Sequence, residues 1–131
     1  MPDAFKYPDA ANTGEVWKYP ALVKSGGGYF YDEILEYRVW IHPELWGEDP
    51  DDWDDYFYSF PNYETALDFY TKTTWAELPL VLILQKEHIN QLSSGKFEHI
   101  KGDRITEWQP DWLEGNKREK DSISKFLNEN N

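Results

Sequence analysis

Residues 80–86 are the most apolar stretch of the chain, and they constrain its fold more than any other feature. The stretch reads Leu-Val-Leu-Ile-Leu-Gln-Lys and includes the β-branched residues Val81 and Ile83. A short, continuous apolar run is typical of a strand covered on both faces, and this one is far too short to cross a bilayer. The sequence therefore predicts a sheet with Leu80–Lys86 as a central strand.

Two further strands are predicted from alternating patterns. In Glu36–His42, apolar residues alternate with a second face that carries Arg38 and Trp40, and Pro43 ends the pattern. Tyr56–Phe60 alternates in the same way. Glu36–His42 is rich in β-branched and aromatic residues, which favour strands, and Tyr56–Phe60 is rich in aromatic ones.

A helix is predicted between the second and third of these strands. Asn62 is a suitable N-cap, and the residues that follow place an apolar stripe at helical spacing until about Thr73. The stripe consists of Tyr63, Ala66, Leu67 and Tyr70, widened by Phe69. A strand, a helix and a strand in succession indicate a right-handed crossover, in which Tyr56–Phe60 and Leu80–Lys86 are parallel.

The C-terminal part of the chain predicts a hairpin and short helices. Asn90–Gly95 is interpreted as a polar turn, and Gly102-Asp103 as the tight turn of an antiparallel hairpin between residues 96–101 and 104–109. Pro110 suits the start of a short helix that Gly115 would cap. A final helix would bury the stripe formed by Ile123, Phe126 and Leu127.

The chain is expected to form a single domain, because it has 131 residues. Residues 1–28 are interpreted as an irregular N-terminal arm that packs through its aromatic residues, with the option of one short strand near residues 15–19. Residues 36–127 are expected to form an α+β core. In this core, a mixed sheet of four to five strands carries one main helix, and short C-terminal helices follow.

The segment Glu44–Asp55 is the most acidic part of the chain. Seven of its twelve residues are acidic and none is basic, so it carries −7 of a net charge of −12. This charge disfavours direct binding to nucleic acid or to an anionic membrane, and favours a protein with a basic surface as the partner. The residues expected to bind that partner are Trp46, Glu48, Asp49, Asp51, Asp52, Trp53, Asp54 and Asp55.

The leading functional expectation is therefore a small acidic protein-binding module. In its sharper form, the segment occupies a basic, nucleic-acid-handling surface of a partner, by analogy of charge with immunity proteins, anti-restriction factors and anti-CRISPR inhibitors. The alternative for the segment is that its charge only keeps the protein soluble.

Trp40 has two interpretations as well: an exposed recognition residue, or a residue that covers the second face of a packed sheet.

A small transferase-like or hydrolase-like enzyme that acts on an anionic or nucleotide-like ligand is the second functional hypothesis. His88, Arg38 and Glu107 are its candidate catalytic residues, and Arg104 could also grip the ligand. A concave cleft on which these residues converge would favour the enzyme. A flat negative face would favour the protein-binding module instead.

Several other classes of site have no support in the sequence. The chain has no cysteine, its three histidines lack metal-ligand spacing, and its triglycine is not followed by the Lys-Ser/Thr of a phosphate-binding loop. The acidic segment also lacks the central glycine and distal glutamate of a calcium-binding loop. We therefore expect no cofactor and no metal. No basic region followed by an apolar one opens the chain, so we expect a cytoplasmic protein.

Four short motifs resemble a set of small uncharacterised bacterial proteins, some of which carry an acetyltransferase label. The motifs are Tyr37–Trp40, Tyr58–Phe60, Tyr63–Phe69 and Arg104–Trp108. The resemblance covers about residues 37–127, and the label implies a pyrophosphate loop of the form Gln/Arg-x-x-Gly-x-Gly/Ala for acetyl-CoA. The glycines that follow Gln85 and Gln91 do not fit this form.

Overall fold

The described part of the fold is dominated by an antiparallel sheet. A computed structural model describes residues 7–21, 23–42 and 55–130. The strands are β1 (Lys24–Ser25), β2 (Glu33–Ile41), β3 (Tyr56–Phe60), β4 (Leu80–Ser93) and β5 (Lys96–Trp108). The α-helices are α1 (Tyr63–Thr71) and α2 (Ser122–Asn130), and short 3₁₀ helices span Thr13–Glu15 and Pro110–Leu113.

The strands follow the order β1-β5-β4-β2-β3 across the sheet. β5, β4, β2 and β3 are antiparallel to their neighbours, and the two-residue β1 pairs in parallel with the outer edge of β5. Each α-helix has nine residues; α1 packs against β2 and β3, and α2 packs against β5. This arrangement confirms the α+β class.

The strands on either side of α1 run in the same direction but do not touch. β3 and β4 are both antiparallel to β2, which lies between them. Nearly all side chains of β2 are buried, as expected for a strand inside the sheet whose two faces are both covered. Helix α1 begins as the sequence predicts, with Asn62 Oδ1 accepting from the Thr65 backbone N–H at 2.9 Å.

The C-terminal hairpin differs from the prediction. β4 continues to Ser93, so the turn lies at Ser94-Gly95 rather than at Gly102-Asp103. Gly102-Asp103 instead forms a β-bulge within β5, where Gly102 has φ +139° and these two residues of β5 oppose the single residue Lys86 of β4. The prediction was wrong because Asn90–Ser93 is mostly polar, which is typical of a turn. Its side chains are exposed, but its backbone pairs with β5 and continues the strand.

The N-terminal arm contains no strand at residues 15–19, contrary to the option raised by the sequence. Trp17 has φ +82°, which interrupts an extended backbone at this position. The arm is instead held by hydrogen bonds to the domain, including Ala10 N to Pro61 O and Ala11 N to Ile34 O, both 2.8 Å. The strand that the arm does contain is β1, which begins nine residues before β2.

The main core lies on the face of the sheet that α1 covers. Tyr37 and Val39 of β2 pack there with Val81 and Ile83 of β4, and the helix contributes Ala66. The strand predicted at Leu80–Lys86 is buried on both faces, because Val81, Leu82 and Ile83 are all fully buried. Among the described residues, no helix is long and apolar enough to span a membrane.

Candidate functional site

The structure places only one of the eight predicted partner-binding residues. Trp46, Trp53 and their other acidic neighbours belong to residues 43–54, which lie outside the described ranges. Asp55, the last residue of the acidic segment, is described, and its side chain is 40% exposed. The surface around Asp55 therefore shows what the segment meets where it joins the domain.

His42, two residues before the acidic segment, contacts Asp55, the last residue of that segment. His42 Nδ1 lies 2.9 Å from Asp55 Oδ2, and His42 Nε2 lies 2.7 Å from Glu77 Oε1. Two backbone hydrogen bonds hold the Glu77 region beside the end of β2: His42 N donates to Trp75 O, and Glu77 N donates to Trp40 O. We call His42, Asp55 and Glu77 the His42 cluster.

The His42 cluster favours a charged imidazole. Burial lowers the pKa of His42, but the hydrogen bonds and negative charges of Asp55 and Glu77 outweigh burial, and the net effect raises this pKa above its ordinary value. The two carboxylates lie at opposite ring nitrogens, so they cannot ligate one metal ion together with His42. In the described ranges, no group of three or more potential ligands is placed to hold a metal.

Glu77 also lines a cleft of about 500 Å³ beside the His42 cluster. Tyr7, Tyr63 and Asp111 form other parts of its wall, and none of the described residues that line it is basic. The Tyr7 and Tyr63 rings meet edge to face with centroids 4.6 Å apart. Carboxylates beside aromatic rings are the surroundings that a lysine or arginine side chain prefers. We call this the acidic cleft.

Exposed aromatic rings lie along β3, directly after the acidic segment. Tyr56 and Tyr58 are 46% and 41% exposed, and Trp17 is 53% exposed. The Trp17 ring contacts both Phe57 and Tyr58, at centroid distances of 6.1 and 5.6 Å. Since successive strand residues point to opposite faces, Trp17 lies across the outer edge of β3. We call Trp17, Tyr56 and Tyr58 the aromatic edge.

The candidates Arg38 and Glu107 meet in a closed network on the opposite face of the sheet from α1. Arg38 Nε lies 2.6 Å from Glu36 Oε2, and its Nη1 lies 3.3 Å from Glu107 Oε2. Arg38 Nη2 donates to Pro20 O at 2.7 Å, and the guanidinium lies 4.3 Å from the centre of the Phe57 ring. Arg38 and Glu36 are both fully buried, so this arginine presents no surface to a ligand.

The same network explains Trp40 and the path of the N-terminal arm. Trp40 Nε1 donates to Glu107 Oε2 at 2.7 Å, so Trp40 covers the second face of the sheet rather than projecting into solvent. Glu36 accepts from the Trp17 backbone N–H at 2.9 Å and from Ser59 Oγ at 2.9 Å. The network therefore fixes the arm, and with it the position of Trp17 at the aromatic edge.

His88 lies apart from the other two catalytic candidates. It is buried at 5% exposure and pairs with Ile100, seven residues before Glu107 on β5. At about 3.3 Å per strand residue, His88 and Glu107 are separated by about 20 Å along β5. His88, Arg38 and Glu107 therefore do not converge on one cleft.

Sequence reasoning missed the residues that form the acidic cleft. Glu77 is a single acid between apolar residues, and Asp111 lies 34 positions further along the chain. Nothing local in the sequence indicates that they share one cleft, because only the pairing of β2, β4 and β5 brings their segments together. The one signal in the sequence is Leu78, which follows Glu77 and is an apolar residue outside any helical or strand pattern. Leu78 is exposed and lines the acidic cleft.

Comparison of the chain with protein-family models, with curated proteins and with solved structures finds no match. The resemblance of residues 37–127 to small bacterial proteins therefore stays a prediction.

Proposed function

We propose that this protein is an acidic protein-binding module that docks on a basic surface of a partner protein. The observation that carries the proposal is the position of the acidic cleft: Glu77 in its wall contacts His42, and His42 also contacts Asp55 at the end of the acidic segment. Negative charge thus continues from the segment onto the described surface, next to exposed tyrosines. Charge of one sign steers a partner of the opposite sign during association.

Each part of this surface has a separate role in docking. The acidic segment supplies the long-range attraction, because it carries −7 within twelve residues. The acidic cleft takes one lysine or arginine side chain of the partner between Glu77 and Asp111, with Tyr7 and Tyr63 beside it. The aromatic edge supplies apolar contact area, as exposed tyrosine and tryptophan do in binding hot spots.

In the sharper form of the proposal, the partner's basic surface is one that handles nucleic acid. A dense array of carboxylates can occupy a groove that otherwise binds phosphates, so docking would inhibit the partner. The net charge of −12 supports a protein rather than a nucleic acid as the direct partner.

The test compares two sets of charge-neutralising variants that remove the same number of charges. The first set changes Asp51, Asp52, Asp54 and Asp55 to asparagine. The matched control neutralises four exposed acids elsewhere in the chain: Glu114→Gln, Glu119→Gln, Asp121→Asn and Glu129→Gln. The partner is isolated from the native host with the wild-type chain, purified, and its association with each variant is measured by surface plasmon resonance at low and high salt.

We expect the first set to slow association at least about tenfold at low salt, with a much smaller change for the control. Glu77→Gln should mainly speed dissociation, because it changes a contact formed only in the complex. Equal association rates for the two sets would overturn the role of the acidic segment. A partner whose contact surface is acidic or neutral would overturn the proposal as a whole.

A further inference from the structure

Arg104 is a half-buried cation without an acidic partner among the described residues. Its Nε donates to Gln85 Oε1 at 2.9 Å, and no described carboxylate lies within ion-pair distance. The chain's other arginines differ: Arg38 contacts Glu36 and Glu107, and Arg118 contacts Asp32 and Glu87. Burial without a compensating charge lowers the pKa of Arg104.

Gln85 holds Arg104 in place without neutralising it. Gln85 is fully buried, and its Oε1 accepts from Arg104 Nε and from Thr106 Oγ1, both at 2.9 Å. Its Nε2 donates to the backbone oxygens of Gly27 and Phe30, at 3.1 and 2.9 Å. All the hydrogen-bonding positions of this amide are therefore in use, and the guanidinium keeps its full positive charge.

The triglycine segment brings the backbone close to this arginine. Gly26, Gly27, Gly28 and Tyr29 have φ of 65°, 83°, 85° and 69°, a run of four left-handed residues. A Cβ on Gly28 would lie 2.0 Å from Gln85 Nε2 and 2.6 Å from Arg104 Nη2, so only glycine fits there. The left-handed Tyr29 is unfavourable for an L-residue, and such backbone strain is concentrated at binding and active sites.

Two neighbouring clefts share this segment as a wall. The arginine cleft has about 290 Å³ and is lined by Gly26–Gly28, Asn90, Gln91 and Arg104. The aromatic cleft has about 390 Å³ and is lined mainly by Tyr29, Phe30, Trp108, Trp112 and Phe126. Gly27 and Tyr29 line both clefts. Their volumes lie near the lower end of the range for small-molecule sites, about 300 to 1,000 Å³.

We propose that the two clefts together bind a small molecule that combines one carboxylate with a flat aromatic ring. The carboxylate pairs with the Nη atoms of Arg104, whose planar fork matches its two oxygens, and Asn90 and Gln91 also line this cleft. The ring packs in the aromatic cleft against Trp112, which is 40% exposed.

The charge of the chain selects a single carboxylate rather than a polyphosphate. One arginine without an acidic partner can compensate one negative charge, whereas a net charge of −12 repels any further ones. The site is separate from the docking surface proposed above. Its success or failure therefore does not depend on the protein-binding function.

The experiment uses 2-naphthoate as the probe and 2-naphthamide as its neutral isostere. Both are titrated into the ¹⁵N-labelled full chain, and affinities are read from the backbone amide shifts. We expect shifts concentrated at Gly26–Gly28 and around Trp112, with 2-naphthoate binding at least about tenfold tighter than 2-naphthamide. Acetate alone should shift the arginine cleft but leave the signals around Trp112 unchanged.

Three variants separate the two halves of the site. Arg104→Gln should abolish the preference for 2-naphthoate, while Trp112→Ala should weaken both probes at least about fivefold. Lys72→Gln removes the same charge from the exposed end of α1 and should change neither affinity. Melting temperatures confirm that each variant is folded, and if Arg104→Gln is not, the probe comparison on the wild type decides.

Two results would overturn the inference. Equal affinity for 2-naphthoate and 2-naphthamide on the wild type would show that Arg104 does not bind the carboxylate. Absence of saturable shifts at Gly26–Gly28 and around Trp112 with 2-naphthoate would show that the clefts do not bind such a ligand.

Discussion

Arg38 and Arg104 lie in the same sheet, but their surroundings are opposite. Arg38 is fully buried and bonded to Glu36 and Glu107, whereas Arg104 is bonded, among the described residues, only to the neutral amide of Gln85. The chain has 25 acidic residues, so acids are abundant, and the difference lies in where they are placed. A neutralised arginine holds the fold together, and an arginine without a described counter-charge is available to a ligand.

The largest predicted effect separates the two arginines by stability. Arg38→Met should lower the free energy of unfolding by about 3–5 kcal/mol, because Glu36 would remain buried without its cation. Arg104→Met should cost about 1 kcal/mol, because Gln85 Oε1 keeps its bond from Thr106. Urea unfolding of both variants measures the two losses.

A double variant sharpens this comparison. Glu36→Gln combined with Arg38→Met removes both buried charges and should recover part of the stability lost by Arg38→Met alone. Equal losses for Arg38→Met and Arg104→Met would contradict the distinction between the two sites.

The second prediction concerns the glycines beside Arg104. Gly28→Ala should lower the free energy of unfolding by about 3 kcal/mol, because its methyl group would displace the fully hydrogen-bonded Gln85. Gly27→Ala is the matched control, since Gly27 has nearly the same φ but no atom within 4 Å of the added methyl group. It should cost only about 1 kcal/mol. Chemical denaturation of the two variants checks the difference, and equal costs would mean that Gln85 is not held as described.

The smallest predicted effect belongs to His42, a cation near the surface between two carboxylates. Its pKa is raised in the folded protein above 6.5, so the protonated form stabilises the fold. This stabilisation is fully present below pH 6.5 and is lost as the pH rises through the raised pKa. Because Asp55 and Glu77 are partly exposed, the contribution should be less than about 1 kcal/mol.

The measurement for His42 is the free energy of unfolding of the wild type and of His42→Gln as a function of pH. The difference between the two should shrink from weakly acidic to alkaline pH. A difference that stays constant or grows with rising pH would show that the charged imidazole does not stabilise the folded state.

The sequence predicts those parts of the fold that depend on neighbouring residues. Alternation locates β2 and β3, the apolar run locates the buried part of β4, and Asn62 marks the start of α1. Each of these signals is local, because it arises from side-chain periodicity or from one capping hydrogen bond.

The remaining features depend on contacts between distant segments. The polar end of β4 is a strand only because β5 pairs with it, and the same pairing makes Gly102-Asp103 a bulge. Arg38 and Glu107 are 69 residues apart, so their ion pair has no signature in the sequence. For the same reason, composition reveals the acidic segment but cannot distinguish the neutralised Arg38 from Arg104.

The arginine side-chain Nε–Hε signals distinguish Arg38 from Arg104 directly, because the chain has only three arginines. In a ¹⁵N-labelled sample titrated with 2-naphthoate, we predict a saturable shift of the Arg104 signal, while the Arg38 signal stays fixed and exchanges slowly with water. A shift of the Arg38 signal, or an Arg104 signal that does not respond, would show that the two arginines do not differ in their availability to a ligand.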